Sequence, residues 1–227
     1  MIFKISYTTI MFRLSIISFF IFSLLLSFSH AEKVKVFEFT NSELENLKVR
    51  KVRGAKAKTE YSVGKNENGS FLKAIANNSA SGLGKEIKID LNKTPFLNIT
   101  WKVEKDIKGI DETSKKGHDY AARVFVVKKT GATPLSNKAM NYVFSSNEDV
   151  NTSHPSPYTK KSIDYVLATT KDNFNEWVTV KANVKEHFKK FHKLDLDEIN
   201  GLAIMADTDN SKLSSIAYFQ NIYFSAE

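Results

Sequence analysis

Cysteine is absent from this chain. In an oxidising compartment that excludes disulfides and thiolate metal sites together, and it rules out a thiol nucleophile. Strand–helix alternation is also missing, which argues against a parallel nucleotide-binding sheet. Neither a G-x-S-x-G elbow nor a phosphate loop occurs, so the common serine-hydrolase and P-loop chemistries have no footing. No arginine-rich block, no aromatic–basic interleaving and no long internal repeat appears. Nucleic acid is therefore not an expected partner, although the 227 residues carry a net charge of +8.

The single long apolar run lies at the start. Lys4 and Arg13 are the only charges before Leu14 to Phe28, a run of apolar and hydroxyl residues. Ser29-His30-Ala31 then sets small residues at the two positions a signal peptidase reads. The apolar core of about 15 residues is shorter than the roughly 20 a transmembrane helix needs. Residues 1–31 are expected to be a signal peptide cleaved after Ala31, rather than a retained anchor. Residues 32–227 would then form a single domain, periplasmic or secreted, with no transmembrane anchor and acting as a monomer. A domain of that size buries about 70% of its unfolded surface and needs no covalent staple. Losing Lys4 and Arg13 from the 33 basic residues leaves 31 against 25 acidic ones, a net charge of +6. The lysines are scattered, and the partners such a charge favours outside the cell are anionic glycans or envelope lipids.

The mature chain reads as short strands separated by turns. Val34–Phe39 alternates, and Asn41–Leu47 has the length of one helical turn. Lys48–Lys58 (KVRKVRGAKAK) suits a solvated loop or a lysine-protected edge strand, with a polyanion contact as the alternative. The tight-turn sequence Asn66–Ser70 (NENGS) divides strands at Thr59–Val63 and Phe71–Ala76. Asn77–Gly84 (NNSASGLG) reads as loop by composition. Glu86–Leu91 and Phe96–Val103 both alternate, with Trp101 on the core face of the second. Further strands are expected at Tyr120–Lys128, Met140–Ser145, Ile163–Thr169, Trp177–Val184, Leu202–Met205 and Ser214–Ser225. One amphipathic helix is marked by Val184, Phe188 and Phe191, with Lys185, Lys189, Lys190 and Lys193 turned away. The fold expected is all-β: an antiparallel, jelly-roll-like β-sandwich with one short helix.

Two polar clusters interrupt this pattern. Asp207-Thr208-Asp209-Asn210 offers several oxygen atoms after a buried strand, which suits a structural calcium held by Asp207 and Asp209. An Asx-type turn accounts for the same residues, and the spacing is not that of an EF-hand. His118, Asp119 and Arg123 form the second cluster. A mid-strand arginine among Ala121, Ala122, Val124 and Val126 must find a carboxylate if buried, from Asp119 or from the Asp207 loop. Left open, it would be a fork for a carboxylate, a phosphate or a uronic acid. His187 and His192 are five apart, about 140° around a helix, and would not share a metal. In the last strand Ile216, Tyr218, Ile222 and Phe224 alternate with Ala217, Phe219, Asn221 and Tyr223; one set belongs to the core.

Three stretches carry a resemblance. His118–Val126 (HDYAARVFV), Asn141–Ser146 (NYVFSS) and Ala203–Asn210 (AIMADTDN) together resemble the exported bacterial family called domain of unknown function 3047, over nearly the whole mature chain. The chain differs at His118, where an acid usually precedes Asp119, at Phe144 for a usual tryptophan, and at Gln220-Asn221 for glycine-aspartate. The resemblance implies a β-sandwich and brings no activity or substrate with it. The expectation is thus an exported β-sandwich that binds a glycan or cell-envelope component without catalysis or an obligatory cofactor. Its candidate ligand residues are Asp119, Arg123, Asn141, Asp207, Asp209 and Asn210. A polysaccharide-active enzyme using an aspartate with a histidine or arginine, and a purely structural envelope protein, are the alternatives.

Overall fold

The computed structural model describes residues 32–227 except Arg53; the expected signal peptide lies outside the described residues. The chain begins with β1 (Lys33–Lys35), a six-residue helix α1 (Asn41–Asn46) and β2 (Lys48–Lys51). Then follow β3 (Glu60–Asn66), β4 (Gly69–Asn77), β5 (Ala80–Asp90), β6 (Phe96–Lys105), β7 (Ala122–Lys128) and β8 (Lys138–Ser145). Next come β9 (Ser153–Ser156), β10 (Thr159–Thr169), β11 (Val178–Asn183) and α2 (Val184–His187), which runs on as a π turn over Phe188–His192. Strands β12 (Glu198–Asp207) and β13 (Ser214–Ser225) close the chain.

These strands form two sheets packed as a jelly-roll-like sandwich. The first runs β11-β6-β13-β4-β3, with β1 alongside β13; the second runs β2-β5-β12-β7-β8-β10-β9. Among the named strands of the described residues, β8 and β10 are the one pair that runs parallel. Parallel neighbours require a return connection, which here is residues 146–158 with β9 inside it. Alternation fixes which side faces the core. Leu97, Ile99, Trp101 and Val103 of β6 are all fully buried, and they share one cluster with Val124 and Val126 of β7 and Leu202 and Ile204 of β12. Val184 and Phe188 anchor the expected helix into the same cluster, with Lys189 and Lys190 exposed.

Three local expectations change. Ala80–Gly84 is strand, not loop, and every one of its residues is buried. Its neighbours supply what its small side chains lack: the Tyr61 hydroxyl donates to the Ser81 carbonyl at 2.5 Å. Arg50 lies across Gly84, where a Cβ would stand 2.9 Å from the Arg50 Nε. The first strand stops at Lys35, and the chain turns through Phe39 (φ 50°) into α1, which Thr40 caps. In β13 neither alternating set is wholly core. The register shifts between Gln220 and Tyr223, with Asn221 at φ 48°. That bulge switches the buried parity from Ala217 and Phe219 to Ile222 and Phe224.

Candidate functional site

Because Val124 and Val126 point inward, Arg123, Phe125 and Val127 of β7 point to the outer face of the second sheet. Register extends these into rows. Arg123 pairs with Met205 of β12 and Val143 of β8, and Phe125 pairs with Ala203 and Asn141. Val127 pairs with Gly201 and Ala139. Strand β10 continues the rows, setting Val166 beside Val143, Asp164 beside Asn141 and Ser162 beside Ala139. Polar residues thus collect at one end of this face and small residues at the other.

The polar end is sealed. Tyr120 packs on Val143 and Val166 as a small buried cluster of its own. Its backbone N–H donates to Asp207 Oδ1 at 3.2 Å. Beneath it Arg123 donates from Nε to Asp207 Oδ1 at 2.9 Å and from Nη2 to Asp207 Oδ2. Arg123 is 3% exposed and Asp207 2%, so the guanidinium is desolvated and its fork already filled. Asp119, fully buried, accepts from the Asn210 side-chain amide at 2.9 Å, the Asn210 N–H at 3.2 Å and the Ser211 N–H at 2.6 Å. Glu112 is buried too. It accepts from Ser145 Oγ and the Ser146 N–H, and burial pushes its pKa up.

A fourth buried carboxylate, Asp164, sits on β10. It accepts from the Asn141 amide, and His118 Nε2 lies 2.8 Å away. Burial lowers the His118 pKa, against the pull of Asp164. His154 is held by Glu148 at 3.0 Å, and that bond pushes its pKa up to about 9. Tyr158, on the turn into β10, stacks edge-on against His118. Its hydroxyl donates to Asn210 Oδ1 at 2.7 Å, with the Lys115 carbonyl oxygen also 3.0 Å from the same hydroxyl.

The other end of the face is open. A groove of about 590 Å³ crosses it. Gly82, Gly201, Ala203 and Ala139 lie along its lining, with Phe125, Leu135, Met205 and Tyr158 among the larger side chains. Arg50, Lys129, Lys161, Glu86, Asn137 and Asn200 supply polar groups. Glycine and alanine at the outward positions of β5, β12 and β8 leave this room, because a sheet face without side chains is a trough. A Cβ on Gly201 would stand 3.1 Å from the Lys85 carbonyl oxygen, so close strand packing also favours glycine there.

A family model described as "Protein of unknown function (DUF3047)" matches residues 45–223. The chain belongs to this family. No curated protein matches it. Among solved structures, the DUF3047 chain is similar to the family 30 carbohydrate-binding module of the cellulosomal cellulase Cel9D-Cel44B of Clostridium thermocellum. That match has 10% identity and a TM-score of 0.50, covering 86% of this chain and 98% of the module. The family 11 module of cellulase Lic26A-Cel5E from the same organism gives 13% identity and a TM-score of 0.47, with coverage of 86% and 95%. Endoglucanase 3 of Trichoderma harzianum, from family GH12, gives 8% and 0.43, with coverage of 87% and 97%. At 10% identity the family 30 module establishes a shared fold for this DUF3047 protein.

Of the residues singled out in the sequence, Asp119, Asp207 and Asp209 bring carboxylate oxygens within 4.8 Å of one another. Arg123 joins this group through Asp207, and Asn210 through Asp119. Asp119 is not on the strand with Arg123, since β7 starts at Ala122, so alternation does not place them together. Asn141 belongs instead to the Asp164 pair, with its own Oδ1 buried and unbonded. Asp164, Glu112, His154, Tyr158 and the groove escaped the sequence reading. Only the alternation of Ile163, Tyr165 and Leu167 in β10 hinted that Asp164 would share an outer face.

Proposed function

We propose that this protein is an exported, non-catalytic β-sandwich that binds a glycan of the cell envelope or its surroundings. The ligand lies in the groove on the outer face of the second sheet. The observation that carries this reading is the groove itself: open, backed by backbone and small side chains, and bordered by Phe125 and Tyr158. Ligand sites are typically clefts of this size, with apolar walls and a few oriented polar groups. Residues 1–31 supply the export half of the reading, through their basic start, apolar middle and small-residue exit. The lining supports binding over hydrolysis. It contains a single carboxylate, Glu86, which Lys48 and Lys129 hold at 2.9 and 3.3 Å, whereas glycoside hydrolysis ordinarily uses two. In this reading Asp119, Arg123, Asn141, Asp207, Asp209 and Asn210 act from behind, fixing the wall on which Tyr158 stands.

The test is a glycan array with the exported protein, compared with Ala203→Trp, which fills the trough from the middle of β12. Binding to at least one glycan is expected for the wild type, with loss in the variant at an unchanged melting temperature. Wild-type protein that binds no glycan would overturn the proposal.

A further inference from the structure

We infer that the groove selects an acidic glycan, one bearing carboxylate or phosphate groups, over a neutral one. This inference rests on the reading of the groove as a glycan site. It starts with Arg50 on the edge strand β2. Register places Arg50 opposite Gly82 and Lys48 opposite Gly84, so both point to the outer face. The Arg50 side chain lies across Gly84, its Nε 2.9 Å from where a Cβ would stand, and the residue lines the groove. Arg50 is exposed and forms no ion pair among the described residues.

Apart from Glu86, the remaining charges agree in sign. Lys161 of β10 lines the opposite side, its ammonium bonded only to the Leu135 carbonyl at 2.8 Å. Lys129 lines the groove between them and shares Glu86 with Lys48. Lys85 also lines the groove, but its ammonium is turned away to Glu43 at 2.7 Å and is not counted. That leaves Arg50, Lys129 and Lys161 along the lining against one carboxylate, Glu86.

A cleft lined by one sign of charge focuses the field and concentrates ions of the other sign. Guanidinium additionally matches the two oxygens of a carboxylate or phosphate. The strands that carry Arg50 and Lys161, β2 and β10, lie five strand spacings apart, about 24 Å. The ligand is therefore an oligomer with anionic groups along its length, not a single sugar.

Calorimetry of the exported protein with oligogalacturonate, a phosphorylated oligosaccharide and cello-oligosaccharide of matched length tests this. At about 20 mM salt the better acidic ligand is expected to bind at least about tenfold tighter than the neutral one. At about 300 mM salt most of that advantage disappears. Arg50→Ala and Lys161→Ala should each weaken the acidic ligand by about fivefold, a larger loss than either causes for the neutral ligand, with the melting temperature unchanged. Whichever acidic ligand binds better names the anion. Equal binding of acidic and neutral ligands, or full acidic affinity in both variants, would overturn the inference and leave glycan binding standing. Failure of all three ligands to bind, along with a blank array, would overturn the underlying reading as well.

Discussion

Two outward residues of β7, Arg123 and Phe125, stand next to each other on the same sheet face and meet opposite fates. Arg123 is roofed by Tyr120, with the guanidinium 5.0 Å from the ring centre, and is neutralised by Asp207. Phe125 borders an open groove. A charge under cover costs several kcal/mol unless it is paired and hydrogen-bonded, so the sealed end had to acquire Asp207. The open end carries no such obligation, because its small residues bury no polar group. Its cations at the rim keep their water and are free to exchange it for a ligand. Under the proposed function the sealed half would serve stability and shape and the open half recognition, and mutations should separate the two.

The largest effect is expected at the sealed end. Arg123→Met leaves Asp207 buried without its partner and should cost about 3–5 kcal/mol in urea denaturation. Arg123→Met with Asp207→Leu should recover most of that loss, since neither charge is then stranded. A single-variant loss below about 1 kcal/mol would mean that water reaches Asp207, and the contrast between the two halves would fail. At the open end Tyr158→Ala should reverse the pattern, with glycan affinity falling about tenfold, close to 1.4 kcal/mol, and stability nearly unchanged. Tyr158→Phe keeps the ring but loses the bonds to Asn210 and Lys115. A smaller loss in that variant would show that the sealed half positions the ring for the open half.

The sequence disclosed the two halves unequally. Alternation in Phe96–Val103 gave β6 with its buried face, and the NENGS turn gave the β3–β4 hairpin, because both signals are local. Arg123 announced a buried pair through its apolar neighbours, and the Asp207 loop was one of two partners in view. Asp164 and His154 were out of reach, since they arrive through the connection that makes β10 parallel to β8. The groove was harder still. Its outward glycines and alanines in β5 look like loop or inert filler, and their meaning is the absence of a side chain. In β13 the bulge at Gln220-Asn221 defeated simple parity. Its outer ring Tyr218 is only 9% exposed, with Lys102 4.7 Å above it, which leaves that face a poor platform for a sugar.

Protonation sharpens the comparison at smaller magnitude. His154, at the sealed end, has its pKa raised from 6.5 to about 9, chiefly by its bond to Glu148. The folded state then binds the extra proton between those values, so this contribution is complete below pH 6.5 and lost as pH rises through 9. His187 behaves oppositely. Its ring lies 4.5 Å from that of Tyr165, and burial lowers its pKa to about 4. Its contribution is complete above pH 6.5 and falls away as pH drops toward 4. These two histidines place a stability maximum near pH 6.5, with about 1 kcal/mol lost on each limb after solvent screening. His154→Gln should flatten the alkaline limb only; an unchanged alkaline limb would remove His154 from the sealed network.

Calcium should do least, and the reason lies in how the acidic corner is already occupied. The ion takes six to eight oxygen ligands, and Asp119, Asp207 and Asp209 do bring oxygens within 4.8 Å. Yet both oxygens of Asp207 hold Arg123, and both of Asp119 accept from Asn210 and Ser211. Asp209 alone keeps a buried oxygen without a partner, and burial pushes its pKa up, with Asp119 adding to the effect. A divalent ion would have to expel a guanidinium from its carboxylate to enter. Calcium at about 1 mM is therefore expected to move the melting temperature by less than about 1 °C. A site with a dissociation constant near 10 μM would instead add about 2.7 kcal/mol, roughly 5–10 °C for a domain of this size. A shift of that order, abolished by Asp209→Asn, would mean that the ion and Arg123 compete for Asp207 and that the sealed half can open.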